Sequence, residues 1–123
     1  MKKLLLALAI FFSCPIWAEW VMYLETKSDT FYYDPATIRK DGNMRRVWTI
    51  QDYMNRGTDG QMSNRAQYEY DCKEERYRFL DISRHSESMA GGKVLTTEIG
   101  SGLWRGIPPG TISASMLNIV CAH

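Results

Sequence analysis

Ser63-Asn64-Arg65-Ala66-Gln67-Tyr68-Glu69-Tyr70-Asp71-Cys72 is the stretch that decides the fold. Ala66, Tyr68, Tyr70 and Cys72 fall on one side of an extended chain, and Gln67, Glu69 and Asp71 on the other. Strict alternation of this kind belongs to an antiparallel strand with one face in a core and one in water. The cysteine stands on the core face. Lys73-Glu74-Glu75 then reads as a charged turn, and Arg76 to Arg84 as the next strand.

Upstream, Asp41-Gly42-Asn43 is a hairpin signal, because Asp-Gly accepts the positive φ of a tight turn. It joins Thr37 to Lys40 with Arg45 to Tyr53, where Trp48 and Ile50 alternate with Val47 and Thr49. Earlier still, Trp20 to Leu24 reads as a strand with Trp20, Met22 and Leu24 on one face. Phe31 to Asp34 is a short strand stopped by Pro35, which cannot donate to a ladder. Downstream, Ser86 to Gly92 is expected to be a flexible connection and Val94 to Ile99 a strand at the sheet edge.

Pro108-Pro109-Gly110 ends the strands, and Thr111 or Ser113 is placed to cap a helix N-terminus. Ile112, Met116 and Val120 follow at helical spacing, with Leu117 and Cys121 beside them. The expected class is α+β: an antiparallel sheet of about six strands packed against a C-terminal α-helix and tied by one disulfide.

The first eighteen residues stand apart. Lys2 and Lys3 precede an apolar run from Leu4 to Phe12, too short to span a bilayer, and Ile16-Trp17-Ala18 offers a signal-peptidase site. The expectation is a cleaved signal peptide over residues 1–18, with the cut between Ala18 and Glu19, and one domain over 19–123. A lipid anchor on Cys14 is the rival reading. Export places the product in the periplasm, on the cell surface or outside, and no transmembrane segment is expected in the mature chain.

Loss of Lys2 and Lys3 moves the formal charge from +1 to −1. So balanced a surface offers no general field for nucleic acid, and no nucleic-acid partner is expected. Loss of Cys14 leaves Cys72 and Cys121, whose only pairing is with each other. An oxidising compartment makes that bond the expectation.

Catalytic chemistry finds little support. His85 and His123 are the only histidines, and neither lies at metal-ligand spacing from a cysteine or the other histidine. Gly91-Gly92-Lys93 lacks the rest of a phosphate loop. Asp71, Glu74 and Glu75 form a compact acidic group that reads as a solvated corner, and His85 as a surface polar residue. An enzyme would need His85 brought to those acids in a cleft. No catalytic residue, metal site or cofactor is therefore expected. Basic and aromatic residues do alternate in Arg76-Tyr77-Arg78, and Arg45-Arg46 precede Trp48. These six residues are the candidate binding patch; cross-strand pairing of the arginines with acids is the plainer alternative.

Several short features occur together in order. They are Trp20, Tyr33-Asp34 with Thr37-Ile38-Arg39, Val47-Trp48 and Ser63. Glu69-x-Asp71-Cys72 with Arg76 and Arg78, then Trp104, Ile107-Pro108-Pro109-Gly110-Thr111 and Val120-Cys121, complete them. In this the chain resembles the surface-adhesin protein E family of small exported proteobacterial proteins. The resemblance implies a sheet packed on a C-terminal helix with Cys72 and Cys121 joined. It also implies attachment to host-surface or matrix proteins, and leaves a homodimer open. The functional expectation is an exported non-enzymatic adhesin-like protein with a host-matrix or envelope protein as partner. The alternative is a periplasmic small-ligand-binding or envelope-stress protein.

Overall fold

The structure is a computed structural model that describes residues 19–123. The expected leader, with Cys14 and the Ala18 side of the cut, lies outside the described residues. Eight strands form one antiparallel sheet. They are β1 (Val21–Glu25), β2 (Asp29–Tyr33), β3 (Arg39–Asp41), β4 (Met44–Tyr53), β5 (Ser63–Asp71), β6 (Arg76–Glu87), β7 (Gly91–Ile99) and β8 (Arg105–Gly106). The helix α1 spans Ile112–Cys121. The order β1-β2-β4-β5-β6-β7 makes the sheet six strands wide, as expected. Two short strands add to it: β3 pairs β4 at the end β2 leaves free, and β8 does the same for β6 beside β7.

Local chemistry sets these elements. Gly42, at φ 59°, turns the β3–β4 hairpin. Asp34 accepts from the Ala36 amide at 3.0 Å and opens a 3-10 turn at Pro35–Thr37, where proline needs no donor. Thr111 caps α1 by accepting from the Ala114 amide at 3.2 Å. Gly100 is required where the chain leaves β7, because a Cβ there would lie 1.9 Å from the Phe79 carbonyl oxygen.

The core lies between one face of the sheet and α1. Val47, Tyr70, Met116 and Val120 are its buried centre, with Tyr23, Tyr33, Tyr68 and Tyr77 around them. The Cys72–Cys121 disulfide joins the end of β5 to the end of α1, with the two Cα atoms 5.8 Å apart. It ties the last helix to the central strand, and a ten-residue helix at a chain end would otherwise fray.

Three expectations need correction. In β1 a bulge falls between Met22 and Leu24, so Leu24 lies opposite Phe31 and leaves the face of Met22, which pairs Tyr32 and is 53% exposed, while Tyr23 packs on the core. Ser86 to Gly92 is no loose connection: β6 continues to Glu87, and Ser88–Ala90 is a 3-10 turn packed against β4 and β5. The Met89 amide donates to Asp52 and the Ala90 amide to Ser63 Oγ, at 2.9 and 2.8 Å. Those bonds hold two non-glycine residues at positive φ.

Beneath that turn His85 is buried, not on the surface. Its Nε2 bonds Ser83 Oγ at 2.8 Å. Burial, and then the charge of Arg65, hold its imidazole below the usual 6.5. As pH falls below about 6.5 the unfolded chain therefore takes the proton first, and stability is lost as pH falls further. Thermal melts from pH 8 to 5 should show a decline that begins near 6.5 and disappears in His85→Gln. A decline of the same size in the variant would contradict this.

Candidate functional site

The face of the sheet away from α1 carries rows of charged residues. Pairing register lays them out in rows, since directly opposed residues in an antiparallel sheet share a face. One row is Arg39, Arg46, Glu69 and Arg78, across β3, β4, β5 and β6. A second is Asp41, Met44, Asp71 and Arg76. A third begins with Trp48, Gln67 and Asp81, and Arg65 lies opposite Ile50.

Glu69 and Asp71 were expected on a solvated face, yet they are only 6% and 3% exposed. Arginines cover them. Glu69 accepts from Arg78 Nε and Nη2 at 2.9 and 2.7 Å, and from Arg46 Nε at 3.1 Å. Asp71 accepts from Arg76 Nε at 3.0 Å and from the Lys73 and Glu74 amides at 3.1 Å. Burial raises both carboxyls. For Glu69, the bonds and charges of Arg78 and Arg46 outweigh that and leave it below its usual value. For Asp71, the Glu74 amide, Arg76 and the Lys73 amide do the same. Both acids remain ionised in neutral solution, as charge-assisted bonds require.

Aromatic rings fix the arginines further. The Arg65 guanidinium lies 5.0 Å from the centre of the Trp48 ring. Trp104, on the segment between β7 and β8, takes Arg76 and Arg78 over its ring at 4.6 and 4.3 Å. The face thus presents guanidinium and indole surfaces with little rotamer freedom left to lose.

Of the six patch residues read from sequence, Arg46, Trp48, Arg76 and Arg78 share this face. Arg45 and Tyr77 project to the other side. Arg45 is 7% exposed and bonds the Gly42, Met44 and His123 carbonyls. Tyr77 stacks on Tyr70 beside the helix, with ring centres 6.0 Å apart. Arg39, Arg65 and Trp104 belong to the face and were not in the patch. A shallow groove of about 310 Å³ runs between Arg39, Asp41, Met44, Arg46, Gln67 and Glu69.

The structure does not bring His85 to the acids. His85 pairs Ser63 at one end of β5 and Arg76 pairs Asp71 at the other, about 27 Å apart at the usual rise per residue. Among the described residues no group of three His, Cys, Asp or Glu side chains could hold a metal ion. None of the described helices is long and apolar enough to cross a membrane. Between α1 and the sheet, a cavity of about 70 Å³ is lined by Tyr23, Phe31, Tyr68, Tyr70 and Ile112 among others.

Comparison with known proteins bears on this arrangement. The family described as surface-adhesin protein E matches residues 20–122. No curated protein matches the chain. Among solved structures, the selenomethionine form of Haemophilus influenzae protein E superposes with a TM-score of 0.65 at 14% identity, covering 87% of this chain and 88% of that one. A second crystal form gives 0.62 at 13% identity over 87% and 90%. Protein E from non-typeable Haemophilus influenzae gives 0.57 at 12% over 89% and 79%. At such identities the likeness is one of fold.

Proposed function

This chain belongs to the surface-adhesin protein E family, and from that premise we propose that it is an exported, non-enzymatic adhesin-like domain that binds a host-matrix or envelope protein through the sheet face away from α1. The observation that carries the proposal is the set of arginines held over Trp48 and Trp104 on that face. Tryptophan and arginine dominate the energetics of protein interfaces. Groups already locked in place lose less entropy when a partner arrives.

Export rests on the leader read over residues 1–18, with release after Ala18 favoured over an anchor at Cys14, and 19–123 as the single mature domain. The Cys72–Cys121 bond accords with an oxidising compartment. The small-ligand alternative is less well supported. The cavity beneath the helix, at about 70 Å³, is far below the roughly 300 Å³ at which small-molecule sites begin, and the groove of about 310 Å³ on the opposite face is shallow and lined mainly by charged and polar side chains.

The test is saturable binding of the purified protein to a panel of purified host-matrix glycoproteins and envelope fractions. At least one saturable partner is expected, with affinity reduced about tenfold or more by Trp48→Ala, the loss of one interface anchor. A panel without a saturable partner would overturn the proposal.

A further inference from the structure

On this face, the row Arg39, Arg46, Glu69, Arg78 sets three guanidiniums beside a single carboxylate. Glu69 is fully engaged by Arg78 and by Arg46 Nε. Neither terminal nitrogen of Arg46 has a partner among the described residues, and its side chain is half exposed. Arg39 pairs with no carboxylate among the described residues. Its Nη1 is instead held by the Ala36 and Ile38 carbonyls, at 2.9 and 3.3 Å. Arg39 and Arg46 stand directly opposite each other across β3 and β4. Like charges so placed repel, which destabilises the pair. An anion between them would remove that cost.

We propose that the groove between Arg39 and Arg46 seats a single carboxylate side chain, aspartate or glutamate, of a protein partner. The inference rests on the proposed binding function of this face and names the chemistry of the contact. Arg46 is suited to the role because Glu69 holds it through Nε alone. A planar guanidinium held on that edge still offers both terminal N–H groups as a fork, the geometry that matches a carboxylate. Asp41 on the rim of the same groove argues for an isolated carboxylate over a sulfated polymer. A dense polyanion gains from an uninterrupted basic stripe, and here it would meet an acid. The formal charge of −1 without Lys2 and Lys3 acts in the same direction.

The test measures binding of the purified protein to a fluorescent peptide of spaced glutamates, its glutamine counterpart and a heparin oligosaccharide. The glutamate peptide should bind, weakly and in a salt-dependent manner, and the glutamine peptide at least tenfold less well. Arg39→Gln and Arg46→Gln should each weaken the glutamate peptide about tenfold, or about 1.4 kcal/mol. Arg84→Gln, which breaks an ion pair with Glu98 between β6 and β7, should leave it unchanged. Arg39 makes no ion pair to lose, so its variant remains informative if Arg46→Gln folds poorly.

Equal binding of the two peptides, no binding of either, or an unchanged affinity in Arg39→Gln overturns the proposal. Tighter binding of the oligosaccharide, lost in the same variants, overturns it in favour of a polyanion. A panel partner whose affinity is untouched by either variant sinks this inference and leaves the wider one standing. Intact peptide binding with no panel partner does the reverse.

Discussion

Cys121→Ser is expected to lower the stability of the domain by about 4 kcal/mol, the loop-entropy value for a closed segment of this length. The bond spans 49 residues and holds the last helix against the central strand. At roughly 4–8 °C per kcal/mol for a domain of this size, the melting temperature should fall by about 20 °C. Reductant should destabilise the wild-type protein to a similar level and leave the variant unchanged. Below its melting temperature the variant should still bind any partner of the proposed face, because the bond lies on the helix side and that face on the other. A melting temperature within a few degrees of wild type would contradict the structural role given to the disulfide.

Met116→Ala should cost about 3 kcal/mol. Met116 is fully buried in one cluster with Val47, Tyr70 and Val120, where α1 docks on the sheet. Truncating such a side chain removes its transfer energy and leaves a cavity that a disulfide-pinned helix cannot easily close. Asn118→Ala, on the exposed side of the same helix, should change stability by no more than about 0.5 kcal/mol. Urea unfolding of the three proteins provides the comparison, and equal effects of the two substitutions would refute the docking of α1 through Met116. The Cys121 and Met116 effects will not add, since both release the same helix.

The fold was legible where one residue pattern had one reading. The alternation from Ser63 to Asp71, the Asp-Gly hairpin, the Thr111 cap and the two remaining cysteines each led to the element observed. The losses came where pairing overrides local pattern. The β1 bulge takes Leu24 off the face it would share with Met22, and nothing in Trp20 to Leu24 announces a bulge. His85 is buried because the turn at Ser88–Ala90 folds back on Ser63 and Asp52, partners more than twenty residues away in the chain. Glu69 and Asp71 look solvated in sequence and are sealed only once β4 and β6 bring arginines beside them.

The candidate face was legible in part. Arg46 and Trp48 share parity, as do Arg76 and Arg78, and each pair lands on one face. Arg45 and Tyr77 have the opposite parity, so period-two alternation alone assigns them to the other side. Trp104 is different. It reaches the face through a segment whose path depends on the close approach of Gly100 to Phe79, and on β8 pairing back to the start of β6. Local composition contains no such signal.

The central claim is that partners are met by the sheet face away from the helix. Hydroxyl-radical footprinting of the protein with and without a saturable partner from the panel tests it directly. Oxidation of Trp48, Trp104 and Met44 should fall in the complex while Ile112 and Leu117 on the helix side remain unchanged. Protection confined to the helix, or to the exposed Val94, Leu95 and Ile99 of the β7 edge, would contradict it.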